Sequence, residues 1–187
     1  MAKGNRDLIL RDRLQFDTDA NGSRTLVYGR VDMSDFVNIV KKEGFAVKEI
    51  RYQLRDPVAQ NGVFQRSLRQ AGTGFSSLKV FSTTTAYEDV QEVGLASPDV
   101  ISILEMTTDT IEAGVEVTFQ NQALEFGTPD LHPAGYNVVS DLLIGVACVG
   151  LTTMPSRTLE IDIMIIGEPV KLTEGDMTEM LTQQQDL

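Results

Sequence analysis

Residues 158–166 read TLEIDIMII. Leu159, Ile161, Ile163 and Ile165 alternate with Glu160, Asp162 and Met164. A period of two puts the branched apolar side chains on one face of an extended chain and the carboxylates on the other. The stretch predicts a strand with one buried face and one wet face. Such a strand is stable only when a second layer covers its apolar side.

The flanking sequence supplies that layer. Within Phe45–Arg55, Ile50, Tyr52 and Leu54 alternate with Arg51, Gln53 and Arg55. Leu8–Phe16, Arg24–Val31, Ser77–Thr84, Val100–Thr107, Val115–Gln120 and Asp141–Leu151 are similarly β-prone, and with Thr158–Val170 the strands number about eight. Turn signals separate them, among them Asn61-Gly62, Ser97-Pro98-Asp99, Ala113-Gly114 and Pro155-Ser156. Many short strands between turns predict an all-β chain, a β-sandwich or barrel, and a jelly roll fits the strand number. An immunoglobulin arrangement fits less well, because the chain has no Trp and one Cys. Residues 1–187 are expected to form a single jelly-roll domain with one or two short helices.

The first helix is expected in DMSDFVNIVKKEG, capped by Ser34, with Phe36, Val37 and Val40 on one face and Gly44 as its stop. The second is expected at about 173–184, with Thr173 and Asp176 as a capping box and Met177, Met180 and Leu181 as its apolar stripe. That stripe docks either on the chain's own barrel or on a neighbouring subunit. Two runs, DLLIGVACVGL at 141–151 and Met164–Ile166, are apolar on both faces. They predict a cover on each side, from helices or from other subunits.

Residues 17–22, DTDANG, raise a separate question. Asp17, Asp19 and Asn21 followed by Gly22 match the first half of an EF-hand loop. The twelfth position would then be Tyr28, where a bidentate acid is needed, and both flanks are β-prone. Asn21-Gly22 also suits a two-residue hairpin turn between strands. The hairpin is the favoured reading. A loose surface cation site on Asp17, Asp19 and Asn21 is the alternative.

Composition excludes several classes of function. The net charge is −11, from 27 acids against 16 bases. That balance disfavours direct binding of nucleic acid, which needs cations to displace counterions. One His, His132, and one Cys, Cys148, cannot build a zinc site or a disulfide framework. Cys148 lies in apolar sequence that would raise its pKa and leave it inert. No GxSxG elbow and no phosphate loop occurs. A carboxylate pair for sugar hydrolysis stays open on numbers alone, but no Trp and four Tyr make a poor sugar platform. The expectation is no enzyme and no cofactor. MAKGNRDLILRDR has no apolar stretch of signal-peptide length, so synthesis in the cytoplasm is expected. Positive charge gathers at Arg51, Arg55, Arg66 and Arg69, which reads as ordinary surface or as an acid-facing contact patch.

Taken together, a mass near 20 kDa, an all-β chain, an acidic and Lys-poor balance and the ending SRTLEIDIMIIGEPVKLTEGDMTEML (156–181) carry a likeness. The chain resembles the small major capsid proteins of tailless icosahedral viruses with an internal membrane that infect haloarchaea. The resemblance implies a single jelly roll standing on the capsid surface. It implies assembly with copies of itself and with a larger jelly-roll capsid protein into pseudo-hexameric capsomers, near an internal membrane but not spanning it. It implies no catalytic residue. High salt would screen the charge that opposes packing. The chief rival is a non-viral β-sandwich binding module for a carbohydrate or a calcium-dependent partner, using Asp17, Asp19 and Asn21.

Overall fold

The computed structural model describes residues 7–59, 68–69, 74–112, 115–123 and 135–183. Among these residues nine strands run in chain order: β1 Leu8–Asp17, β2 Arg24–Val31, β3 Glu43–Arg55, β4 Phe75–Thr83, β5 Val100–Glu112, β6 Val115–Ala123, β7 Tyr136–Val138, β8 Leu142–Val149 and β9 Thr158–Lys171. Among the described residues one α-helix, α1, spans Glu174–Gln183. A front sheet has the order β1-β9-β3-β7 and a back sheet the order β2-β8-β4-β5-β6. Every pairing is antiparallel. The chain passes repeatedly from one sheet to the other, so sequence neighbours such as β1 and β2 lie in opposite layers. This is the strand order of a jelly roll, with β6 added at the edge of the back sheet.

The alternation in TLEIDIMII becomes the centre of the front sheet. Leu159, Ile161, Ile163 and Ile165 point into the sandwich, each at most 3% exposed. Each such burial contributes about 2 kcal/mol. Across the core they meet Leu78, Val80, Leu104, Ile144 and Val146 of the back sheet, members of the same cluster. A polar link crosses this interior. The Tyr52 and Ser102 hydroxyls share a hydrogen bond of 2.5 Å, and Ser102 and Ser82 share another of 2.8 Å. At the end of β3 the buried carboxylate of Asp56 accepts a hydrogen bond from Arg157, just before β9, and another from the Val58 N–H.

The second apolar face of β8 has a cover that the sequence reading did not foresee. The excursion between β4 and β5, residues 84–99, folds over the outer face of the back sheet. Phe81, Val93 and Ile103 form a second buried cluster there, with Leu26, Tyr28, Tyr87, Val90 and Val100 around it. Phe81 lies against Gly145, where an added Cβ would come within 2.2 Å of the ring. The arch is pinned by Tyr28, whose hydroxyl donates to the Tyr87 carbonyl and accepts from the Tyr87 N–H, and by Lys79, which donates to the Val93 carbonyl. The cover is the chain's own loop, with one short 3-10 turn at Val90–Glu92.

Two further expectations are corrected. Residues 34–44 are not helical. Asp32, not Ser34, takes the first free N–H, and the Asn38 side chain accepts from Lys41. Asn38 and Glu43 then bridge as an antiparallel pair, and Gly44 lies inside β3 instead of stopping a helix. Asn and the β-branched Val37, Ile39 and Val40 are poor helix formers, and a side chain that bonds its own backbone competes with the helix. Phe36 and Val37 pack on the core, but Val40 is 92% exposed. Likewise β1 and β2 do not form a hairpin, because they belong to different sheets. The turn itself is real. Gly22 takes φ +71° and lies against the Leu151 carbonyl, and its own carbonyl accepts from the Leu151 N–H. Turn chemistry fixes the reversal of the chain but not which sheet the next strand joins.

Candidate functional site

No described cluster of three or more His, Cys, Asp or Glu side chains could hold a metal ion. One carboxylate oxygen each of Asp17 and Asp19 is engaged within the chain. Asp19 Oδ1 accepts from the N–H groups of Asn21 (2.8 Å) and Ser23 (2.7 Å), and Asp17 Oδ1 accepts from the Thr158 hydroxyl at 2.6 Å. Asn21 is exposed. This geometry accounts for Asp17 and Asp19 as turn and strand-end partners without an ion. Cys148 is buried, and burial pushes its thiol up to about 12. No helix among the described residues is long and apolar enough to cross a membrane.

The features that stand out are surfaces. The outer face of the front sheet is ordered by strand register. Arg11, Met164 and Arg51 form one row across β1, β9 and β3, Arg13, Asp162 and Gln53 the next, and Gln15, Glu160 and Arg55 the third. Arg13 bonds Asp162 at 2.6 Å and reaches Glu160 at 3.5 Å, and Arg55 bonds Glu160 at 3.1 Å. Arg51 bonds Glu49 on its own strand at 2.5 Å. These hydrogen bonds raise Arg13 and Arg51 above the usual guanidinium value. Arg11 has no carboxylate partner among the described residues. A depression of about 650 Å³ opens here, lined by Arg11, Arg13, Arg51, Gln53, Asp162 and Met164.

The outer face of the back sheet differs. Beyond the arch, register places Val149, Ser77, Thr107 and Phe119 in one row and Phe75, Asp109 and Val117 in the next. Phe75, Phe119, Val149 and the nearby Val115 are 59, 59, 53 and 48% exposed.

The structure divides the basic group expected from sequence. Arg51 and Arg55 share the front face, where Arg11 and Arg13 join them. Arg69 lies elsewhere, donating to the Phe75 carbonyl at 3.4 Å, and Arg66 is outside the described residues. Arg11 and Arg13 were overlooked, although LILRDRLQF alternates visibly; what was missing was the strand order that sets them beside Arg51. On α1 the capping box forms as read, with the Thr173 N–H donating to Asp176 and the Asp176 N–H to the Thr173 hydroxyl. Met177 is buried against the chain itself at 4% exposure, while the Met180 and Leu181 side chains lie outside the described residues.

No family model matches the chain, and no curated protein matches it. One similar solved structure is described as "Crystal structure of 60-mer BFDV Capsid Protein", at 11% identity over 91% of this chain and 97% of that one, with a TM-score of 0.32. The fold rests on the strand order above.

Proposed function

We propose that the chain is a structural virion protein, a jelly-roll subunit that works by burying its faces against copies of itself. The observation that carries this reading is the group of exposed apolar side chains on the outer face of the back sheet, Phe75, Val115, Phe119 and Val149, set among Ser77, Thr107 and Asp109. Several large apolar side chains exposed together on one sheet face mark an interaction surface. The arginine-rimmed depression on the opposite face adds a second surface of the kind enriched at interfaces. The resemblance drawn from size, composition and the 156–181 ending extends the reading. It adds icosahedral, pseudo-hexameric capsomers, a second and larger jelly-roll partner, proximity to an internal membrane, a halophilic archaeal host and synthesis in that host's cytoplasm. No catalytic role is assigned to any residue.

The test is the solution mass of the purified chain by light scattering and sedimentation, from low salt to molar NaCl. Growth into discrete oligomers or sheets, reduced by Phe119→Asp, is the expected outcome. A chain that stays monomeric throughout is not a self-assembling subunit. If calcium also raised the melting temperature of that monomer, the binding-module reading would replace this one.

A further inference from the structure

The two outer surfaces of the sandwich carry opposite character, and on opposite sides of the molecule. The arch, residues 84–99, contains Glu88, Asp89, Glu92 and Asp99 and no Lys or Arg. Asp99 is buried, but Glu88, Asp89 and Glu92 are exposed. Three residues beyond Glu92, Leu95 stands 74% exposed on a tight turn. That turn is held by Ser97, whose hydroxyl donates to the Glu92 carbonyl and accepts from the Gly94 N–H. The arch therefore presents an apolar knob beside a group of acids.

The front face presents the counterpart. Met164 and Ile166 are half-buried and Ile9 is 50% exposed, forming an apolar floor. Arg11 and Arg51 flank Met164 in register. Four of the ten arginines of an otherwise acidic chain lie on this one face. The acids on this face, Glu49, Glu160 and Asp162, are taken up by Arg51, Arg13 and Arg55. Arg11, on the side of the depression that Asp12 also lines, is left with no carboxylate partner among the described residues, while Arg51 is held by Glu49.

We infer that the front face of one copy receives the acidic arch of the next, Leu95 against Met164 and Ile166, with Glu88 and Glu92 toward Arg11 and Arg51. This rests on the self-assembly reading and gives it a direction. The two surfaces differ and sit on opposite sides, so the contact is head-to-tail and builds rings or rows instead of a two-fold dimer. Charge complementarity of this kind sets partner choice and register.

Charge exchange tests it at about 0.15 M salt, where the screening length of ~8 Å spares close pairs while damping the net repulsion. One variant carries Arg11→Glu with Arg51→Glu, a second Glu88→Lys with Glu92→Lys, and a third all four changes. All four side chains are exposed, so thermal melts should show each variant folded. Each two-site variant alone should self-associate on the order of a hundredfold more weakly than the unaltered chain. Mixing the two should restore association, and so should the four-site variant alone. Leu95→Ser should weaken association without any change of charge. Association untouched by the reversals overturns this contact and leaves self-assembly standing. Loss without rescue on mixing also overturns it. An unaltered chain that is monomeric at every salt concentration overturns both the contact and the reading beneath it.

Discussion

On β9 the outward residues are Glu160, Asp162, Met164 and Ile166; on β8 they are Leu143, Gly145, Ala147 and Val149. Both strands lie inside their sheets and both give their other face to the same core. The front sheet keeps its outer face in water by lacing arginines between carboxylates. The back sheet cannot, so the chain sends residues 84–99 across it, and where that cover ends the face is bare at Phe75, Phe119 and Val149. The wet face can change its charges with little effect on the fold. The covered face is part of the fold. Contacts with other copies should therefore be adjustable on the front and costly to alter beneath the arch.

The largest expected effect probes that cover. Phe81 is fully buried outside the main core, stacked edge-on with Tyr28 at 5.9 Å between ring centres. Phe81→Ala should destabilise by about 3–5 kcal/mol, as truncation of a buried aromatic does. Gly145→Ala should also destabilise, by about 1–3 kcal/mol, because the new methyl meets that ring. Ile9→Ala, on the front face, is the control and should cost well under either. Chemical denaturation of the three variants decides it. Equal effects for Phe81 and Ile9 would mean that the arch is not a structural layer.

The same contrast explains what could be read in advance. TLEIDIMII was legible because one of its faces is wet, so the period of two survives in the residue types. LLIGVACV lost its period because its outer face is largely covered too, and nothing in those residues says by what. The cover does leave a trace in AYEDVQEV, where Tyr87, Val90 and Val93 recur every third residue between acids. The spacing of Phe36, Val37 and Val40 misled: a single turn closed by the Val37 N–H on the Met33 carbonyl sets Phe36 and Val37 on the core, while Val40 faces solvent. Arg51 and Arg55 followed from alternation alone. Their neighbours Arg11 and Arg13 required knowing that β9 lies between β1 and β3, a long-range fact. Arg69, close to Arg55 in the chain, proved distant from this face for the same reason.

Charge created between the sheets should matter more than charge removed from the front face. Burial pushes both the Tyr52 hydroxyl and the Cys148 thiol up to about 12, from ordinary values of 10.0 and 9.0. In the unfolded chain they ionise near those ordinary values, whereas the folded chain keeps both protons until about 12. Across pH 9 to 12 the unfolded state binds fewer protons, so stability falls as pH rises and is unaffected by these groups below that window. For Cys148, 2% exposed, the loss is at most about 1.4 kcal/mol per pH unit inside the window. Cys148→Ala should flatten the decline from about pH 9 upward, and Tyr52→Phe should flatten it only above about pH 10. Denaturant melts from pH 8 to 12 would show it; a decline unchanged in both variants would place its origin outside the core.

The smallest effect is expected where the front face looks most ordered. Arg13 and Asp162 make a 2.6 Å hydrogen bond, yet the Arg13 side chain is 47% exposed and its partner 32%. Holding two solvated side chains together costs entropy that nearly offsets their attraction, and salt screens what remains. A double-mutant cycle with Arg13→Ala and Asp162→Ala should give a coupling that is barely resolved at low salt and gone in molar salt. Coupling that persisted in molar salt would make the arginine lattice a rigid part of the fold. Its absence would mean that these guanidinium groups can leave their present partners at little cost, which a face that accepts a neighbour's carboxylates requires.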